Sequence, residues 1–330
     1  MNKKGIALAG IAVVDVGFEI DTYPKKGNLT KISNQVLSTG GINNMAIDLA
    51  RLDNKLPIKM SAVLGDDEYG HFIKERLSLY PNIQQDQIHY RGHTSKTYVM
   101  TEKESKERTF FFDAGSSATY SIDDVDFAAL DVDFLMIEYL LSLDTLDAPN
   151  EKYGTNSAEY LAKAKEHGIR TIVDLISEEN PARYESVVRP ALKYVDYIVI
   201  NEVEAGFVVG QPLCDGEEIN HERMYQALEK IHQMGVAKWV VVHSPSFAFG
   251  MDCQSGEKFT VATSKLPPGY IKGTIGAGDA FAAGVVYAAY IGQSIEAALQ
   301  AGIQCASRSL GQPDSNSGVV SYEEMMANPL

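Results

Sequence analysis

Short apolar runs alternate along the chain with longer segments whose apolar residues recur about every 3.6 positions. The runs are rich in β-branched residues and predict buried strands at residues 5–14, 59–64, 134–137, 171–175, 197–200 and 239–242. The longer segments predict helices, most clearly at residues 44–52, 158–167 and 224–234. Because strands that alternate with helices favour βαβ units, we expect a doubly wound, mostly parallel α/β sheet with helices on both faces.

Two stretches, residues 17–37 and 94–112, depart from this pattern because their apolar and polar residues alternate one by one. Such alternation is typical of half-exposed antiparallel strands. We therefore expect a small β-sheet that projects from the α/β core, with strands inserted at about residues 15–38 and 94–115. Residues 1–330 are predicted to form a single domain that carries this insertion.

The overall charge narrows the range of partners. The 330 residues carry a formal net charge of -15, with no block of Lys or Arg to offset it. Nucleic acids and anionic membranes are held by clustered positive charge, so neither is expected as a partner. A phosphate ligand remains compatible, since backbone N–H groups and a metal ion can bind it.

The N-terminal run and the cysteines indicate the compartment. Residues 6–14 are too few to span a bilayer, and their β-branched content suits a buried strand better than a signal sequence. The three cysteines are far apart and form no CxxC pair, which is typical of a reducing environment. We expect a cytoplasmic protein.

The segment from Lys272 to Gly284 holds the clearest candidate chemistry. Its glycines precede an alanine-rich helix and leave the first N–H groups of that helix open, which creates an anion site. Asp279 lies inside this positive region, where an acid would repel a bound phosphate. Two interpretations remain: Asp279 caps the helix, or it takes a proton from a hydroxyl while the amides hold a phosphoryl group.

Gly276-Ala277-Gly278-Asp279, followed by Ala-Phe, resembles the C-terminal signature of the ribokinase-like, or PfkB, carbohydrate kinases, whose pattern is Asp-Thr-x-Gly-Ala-Gly-Asp. The resemblance implies that Asp279 is the catalytic base and that the amides of Gly276, Ala277 and Gly278 form an anion hole. It also implies the family fold, a doubly wound α/β domain with a small β-sheet lid, and ATP with Mg²⁺ as cofactors.

Other motifs extend the resemblance from Gly10 to about Gly311. The pair Gly40-Gly41 with Asn44, leading into a helix that ends in Ala-Arg-Leu, is similar to the N-terminal family signature. Together with Asp15 and Glu138 at the ends of predicted strands, these residues are implied to bind the sugar. The resemblance further implies that Asn201 and Glu204 organise Mg²⁺, and that three residues lie near the nucleotide: Thr274, His243 and Ser244. Taken alone, each motif also fits a turn or a helix cap.

Three departures from the family pattern concern the nucleotide side. Gly273 replaces the first Asp of the signature, which in many members helps to hold a monovalent cation, so the resemblance does not support potassium activation. Pro245 and Phe247 replace glycines of the loop that lies against the nucleotide, which predicts altered ATP contacts and leaves the phosphate donor open. The stretch from Asp174 to Ser177 lacks the Asn and Arg of the usual motif.

These observations favour a kinase that phosphorylates a sugar or a sugar-like alcohol. The alternative, suggested by the altered loop, is a sugar-binding protein of the same fold with impaired catalysis. A nicotinamide-dependent oxidoreductase would need Gly-x-Gly-x-x-Gly after the first strand, where only Gly10 occurs, and no P-loop motif is present.

The acceptor stays open among ribose, fructose, a keto-deoxy sugar acid and a nucleoside. Arg108 either meets a carboxylate of a sugar acid or belongs to a charged turn with Glu107. Exposed lid strands invite pairing between two chains, so we expect a homodimer formed through the lid.

Overall fold

The computed structural model describes residues 4–216 and 218–330, which form seventeen strands and a set of helices. The strands are β1 (Ile6–Gly10), β2 (Ala12–Ile20), β3 (Ile32–Gly41), β4 (Ile58–Leu64), β5 (Ile83–Tyr90), β6 (Ser95–Glu102), β7 (Arg108–Asp113), β8 (Phe134–Leu140), β9 (Pro149–Asn150), β10 (Gly154–Thr155), β11 (Arg170–Leu175), β12 (Tyr197–Asn201), β13 (Cys214–Asp215), β14 (Glu218–Ile219), β15 (Trp239–His243), β16 (Phe247–Asp252) and β17 (Lys258–Ala262).

The α-helices are α1 (Ile42–Leu52), α2 (Glu68–Ser78), α3 (Phe127–Leu130), α4 (Asp144–Asp147), α5 (Asn156–Glu166), α6 (Pro181–Arg183), α7 (Arg189–Leu192), α8 (Glu202–Val209), α9 (His221–Gln233), α10 (Ala277–Ile291), α11 (Ile295–Leu310) and α12 (Tyr322–Ala327). Short 3-10 helices cover Gly115–Thr119 and Ile122–Asp124, and a π-helical turn covers Tyr184–Val188. None of the described helices is both long and apolar enough to cross a membrane.

Nine strands form the main sheet in the order β17-β16-β15-β12-β11-β8-β1-β4-β5. All neighbours are parallel except the β15–β16 and β16–β17 pairs. After β1 the chain builds outward on one side through β4 and β5, and then returns to β8 on the other side. The strand order therefore reverses at β1, where open α/β sheets bind ligands at the carboxyl ends of their strands.

Alternate residues of the central strands pack into two separate cores. Ile6 and Leu8 of β1 join the core that includes α1, α10 and α11, whereas Ala7 and Ala9 join the core that includes α5, α8 and α9. Because both faces are buried, the strand is a continuous apolar run rather than an alternating one. The predicted parallel α/β sheet covered on both faces is confirmed.

Four strands form the second, smaller sheet, in the order β3-β2-β6-β7, which we call the lid. The prediction of entirely antiparallel lid strands is wrong for one pair, since β2 and β6 run parallel. This arrangement follows from the path of the chain, which visits β4 and β5 of the main sheet before it returns to the lid.

The apolar run at residues 5–14 was predicted as one strand, and this prediction is also wrong. The chain turns at Gly10 and Ile11, so that β1 belongs to the main sheet and β2 to the lid. Gly10 has a φ of 128°, and a Cβ there would lie 1.9 Å from the carbonyl oxygen of Glu138. Only glycine fits this close approach, which brings the start of the lid to the carboxyl end of the central strand.

Candidate active site

Helix α10 begins at the carboxyl edge of the main sheet with an open N-terminus. Gly276 precedes it with a φ of 74° and a ψ of 3°, and no side chain caps the first turn. A Cβ on Gly276 would lie 2.5 Å from the Cβ of Ser315, so a side chain is excluded by both conformation and space. The first amides of the helix are consequently free to bind an anion.

Asp279 lies in the first turn of α10, and its carboxylate is held by side chains of two other elements. Its Oδ2 accepts a hydrogen bond from the Asn44 side-chain amide at 3.0 Å, and its Oδ1 accepts one from the Tyr139 hydroxyl at 2.5 Å. Burial raises the pKa of Asp279, while the contacts with Tyr139 and then Asn44 oppose that rise. The geometry is therefore that of a held carboxylate and not that of a helix cap.

The Gly-Gly segment joins the lid to α1. Gly41 has a φ of 61°, and a Cβ there would lie 2.2 Å from the carbonyl oxygen of Ile11. Helix α1 then begins, and Thr39 donates to Oδ1 of Asn44 at 3.0 Å, which turns the amide nitrogen of Asn44 toward Asp279. The substrate-binding role of Asn44 stays a prediction; in the structure its side chain donates to Asp279.

Asp15 faces the same cleft from lid strand β2. A Cβ on Gly40 would lie 2.9 and 3.1 Å from its two carboxylate oxygens, so the missing side chain of Gly40 leaves room for them. Burial and the charge of Asp279 raise the pKa of Asp15 to about 7, against a hydrogen bond with Thr97 and the charge of Arg108. The cleft thus has one carboxylate on the lid and one on the main domain.

Arg108 reaches from lid strand β7 to the opposite side of the cleft. One of its guanidinium nitrogens donates to the hydroxyl of Thr274, two residues before Gly276. The guanidinium also lies 5.7 Å from the centre of the Phe110 ring. Neither sequence interpretation, a substrate carboxylate or a turn with Glu107, included this contact, because a pairing across 166 positions leaves no local signal.

Glu138 pairs with Gly10 across β8 and β1 and is completely buried. Neither of its carboxyl oxygens makes a hydrogen bond of ordinary geometry among the described residues, although the nearby Tyr139 hydroxyl opposes the rise in the pKa of Glu138. Burial, followed by the charge of Asp279, raises the pKa of Glu138 well above its ordinary value. A protonated, neutral Glu138 is the form that this environment favours.

More acids surround the cleft on neighbouring elements. Burial raises the pKa values of Asp48 on α1 and Asp174 on β11 well above the ordinary range, and that of Glu204 on α8 to about 7. The charge of Asp279 contributes to the rise for Asp48 and Asp174. The site concentrates carboxyl groups whose mutual repulsion opposes full ionisation, an arrangement found at functional sites.

A cavity of about 610 Å³ adjoins the N-terminus of α10. The three residues predicted near the nucleotide all line it, together with two of the predicted anion hole: Thr274, His243, Ser244, Ala277 and Gly278. The His243 ring lies 4.7 Å from that of Phe281, and burial lowers the pKa of His243 to about 4, so the imidazole is neutral at pH 7.

The altered loop between β15 and β16 affects this cavity less than the sequence predicts. Pro245 lines the cavity, but the ring of Phe247 packs 4.8 Å from His221 and 5.9 Å from Phe249, in the core between β16 and α9. Ser244 closes the loop by accepting from the amide of Phe247 at 3.0 Å. The bulk of Phe247 is therefore directed away from this cavity.

Asn201 and Glu204 hold each other at the start of α8. The Asn201 side chain accepts from the amides of Val203 and Glu204, and Glu204 accepts from the amide of Asn201 and the hydroxyl of Ser177. Within residues 4–216 and 218–330, no three His, Cys, Asp or Glu side chains form a metal-binding group. Asn201 and Glu204 offer side-chain oxygens, which are the ligand atoms that Mg²⁺ prefers.

Gly273 lies where two backbone carbonyl groups converge. A Cβ there would lie 2.8 Å from the carbonyl oxygen of Gln312 and 3.1 Å from that of Pro313. The larger side chain of an Asp would require this loop to move. The packing around Gly273 thus leaves no room for the Asp that the family pattern has at this position.

The comparisons with known proteins agree with this architecture. A model of the pfkB family of carbohydrate kinases matches residues 3–321. Ribokinase of Arabidopsis thaliana is 26% identical over 307 residues, which are 89% of this chain and 73% of that protein. The solved structure of Arabidopsis thaliana ribokinase complexed with ribose and ATP matches with a TM-score of 0.78 and 20% identity over 98% of both chains. Ribokinase of Giardia lamblia matches with a TM-score of 0.79 and 18% identity over 99% of this chain and 98% of that one. Since the family model covers nearly the whole sequence, the chain belongs to the pfkB family of carbohydrate kinases.

Proposed function

We propose that this protein transfers the γ-phosphoryl group of ATP to a hydroxyl of a sugar or sugar-like acceptor, with Asp279 as the general base. The observation that carries the proposal is the held carboxylate of Asp279 beside the open N-terminus of α10. The acceptor O–H bond breaks and its proton passes to Asp279. The acceptor oxygen forms a bond to the γ-phosphorus, and the bond from that phosphorus to the bridging oxygen breaks, which releases ADP.

The anion site stabilises the group in transfer. The amides of Gly276, Ala277 and Gly278 stand at the positive end of the α10 dipole, where charge on the phosphoryl oxygens is favoured. Ala277 and Gly278 line the 610 Å³ cavity, where we expect the nucleotide to bind, and Asp279 follows them in the first turn of α10. Phosphoryl transfer depends mainly on such positioning and electrostatics.

The acceptor would lie between the lid and the main domain. Asp15 can accept two hydroxyl groups, and Gly40 and Gly41 allow a polyol to approach the backbone. Glu138 remains a predicted acceptor contact. Because it is completely buried, an acceptor reaches it only after a neighbouring side chain moves.

Mg²⁺ would be held through waters by Asn201 and Glu204, whose side chains already satisfy the start of α8. When bound, the ion neutralises charge on the polyphosphate. Potassium activation is not part of the proposal, because Gly273 leaves no carboxylate at that position and its neighbours leave little room for one.

Ribose is the first acceptor to test, since a similar protein has been solved with ribose and ATP. The test is a coupled ADP-release assay with MgATP and a panel of sugars, sugar acids and nucleosides. Turnover of one compound, with none in its absence, is the expected result. Binding of a sugar without binding of MgATP, measured by calorimetry, would support the alternative of a non-catalytic sugar-binding protein.

A homodimer through the lid is also part of the proposal. Both edge strands of the lid expose large apolar side chains: Ile32, Val36 and Leu37 on β3, and Phe110, Phe111 and Phe112 on β7. Exposed apolar edge strands favour pairing with another chain. Sedimentation should show a dimer for the wild type and a monomer for Val36→Lys combined with Phe111→Lys; a monomeric wild type would refute this assembly.

The cytoplasm is the proposed location. The three cysteines, Cys214, Cys253 and Cys305, are free thiols in the fold, which suits a reducing compartment.

A further inference from the structure

We propose that Tyr139 is a positioning residue that keeps the carboxylate of Asp279 ionised and correctly oriented for the acceptor hydroxyl. The inference rests on the proposed role of Asp279 as the base, and it concerns a residue outside the motifs that define the site.

The geometry places one donor on each oxygen of Asp279. The Tyr139 hydroxyl donates to Oδ1 at 2.5 Å, and Asn44 donates to Oδ2 at 3.0 Å. Two contacts at different oxygens fix both the position of the carboxylate and the rotation of its plane. Each oxygen can accept more than one hydrogen bond, so both retain the capacity to accept from an acceptor hydroxyl.

The surroundings make this support necessary. Burial of Asp279 favours its neutral form, and the acids that interact with it or with Tyr139, which stand on five elements, repel its charge to the extent that they ionise. Those acids are Asp15 on β2, Asp48 on α1, Glu138 on β8, Asp174 on β11 and, next to Asp174, Glu204 on α8. Arg108 on β7 is a cation that interacts with Asp15 from the same lid sheet. Hydrogen bonds to the charged form of Asp279 therefore have to offset both burial and repulsion.

Tyr139 is suited to donate without losing its own proton. Burial and the charge of Asp279 raise the pKa of Tyr139 well above its ordinary value, so its hydroxyl remains protonated at neutral pH. The proton taken from the acceptor accordingly goes to Asp279, and Tyr139 keeps its own throughout the transfer. Among the groups that oppose protonation of Asp279, Tyr139 has a larger effect than Asn44.

Tyr139→Phe tests the proposal because it removes only the hydroxyl. A hydrogen bond to a charged group contributes enough to stability that its loss should reduce kcat/KM about tenfold or more at acid pH. The acid limb of the pH profile should move to higher pH, and the rate should recover toward wild type above it. The KM for MgATP should not change. Tyr225→Phe is the matched control, since it removes one hydroxyl that bonds to Thr260 far from the cleft.

A fall in rate that is equal at every pH, with no shift of the acid limb, would show that Tyr139 does not keep Asp279 ionised, and this result would overturn the proposal. A second measurement does not depend on turnover: the carboxyl ¹³C shift of Asp279, assigned with Asp279→Asn, should titrate at higher pH in Tyr139→Phe. An unchanged titration would refute the role of Tyr139 even if no acceptor is found, whereas absence of turnover alone would count against the proposed function.

If Tyr139→Phe does not fold, replacement of Tyr139 by 3,5-difluorotyrosine keeps the ring and makes the hydroxyl a stronger donor. The acid limb and the ¹³C titration should then move to lower pH. Movement in the opposite direction, or none, would contradict the proposal.

Discussion

Asp279→Asn separates the chemistry of the site from its stability. The substitution keeps the shape of the side chain and removes the charge and the ability to take a proton. The new carboxamide can accept from Asn44 through its oxygen and donate to Tyr139 through its nitrogen, because a tyrosine hydroxyl can also accept. The contacts at both ends are therefore retained, and we expect the variant to fold.

The expected loss of activity follows from the role of a general base, which contributes about 10²- to 10⁴-fold to a rate. This loss corresponds to about 2.7–5.4 kcal/mol in the activation barrier. Stability should change in the other direction. Because the pKa of Asp279 is raised in the folded protein, the fold loses stability as the pH rises from the unfolded-state pKa through the folded-state pKa, and the loss is complete above it. At neutral pH the substitution should leave the melting temperature unchanged or raise it.

The assay is ADP release at saturating MgATP and acceptor, with thermal unfolding of the same preparations. Asp53→Asn serves as the control, since Asp53 bonds to the hydroxyl of Tyr287 at the end of α1 and takes no part in the cleft. We expect near-normal turnover for the control. If Asp279→Asn retains turnover within about tenfold of wild type, Asp279 is not the base. A clear fall in its melting temperature would refute the assigned balance of burial and hydrogen bonding.

Three further predictions concern the anion site and the lid. Gly276→Ala should reduce turnover and also destabilise the fold by about 1–3 kcal/mol, measured by denaturant unfolding. The control Gly269→Ala has a similar φ of 76° but lies in open space, so it should affect stability alone. Equal turnover in the two variants would contradict the reasoning. Arg108→Gln should lower kcat/KM about tenfold or more, because it removes a charged donor from the cleft. The control Lys106→Gln, in the same hairpin, should leave kcat/KM unchanged. Equal effects of the two substitutions would exclude a specific role for Arg108. Asp15 needs its charge to accept two hydroxyls, so the acceptor KM should rise as the pH falls below about 7. Asp15 would have no role in acceptor binding if the wild-type KM did not depend on pH, or if Asp15→Asn showed the same dependence.

The sequence predicted the architecture because the pattern of burial is local. Strands buried on both faces have to be continuous apolar runs. The prediction of half-exposed lid strands is wrong for β7 and for the first part of β3, because consecutive residues are exposed there. A second exception is the run at residues 5–14, where burial continues through the turn at Gly10. Since the residues on both sides of that turn are equally apolar, the sequence contains no sign of the change from one sheet to the other.

The glycine-rich start of α10 could likewise be predicted from the sequence, because its conformation requires glycine at Gly276 and its first turn has no side-chain cap. The hydrogen bonds that hold Asp279 could not be predicted from the sequence. Asn44 and Tyr139 are 235 and 140 positions away from it in the chain, and Arg108 meets Thr274 across 166. Such contacts depend on how the strands order themselves and how the lid closes on the sheet. The strength of these contacts depends on the burial of each group and on the charges near it, and only the tertiary structure determines both.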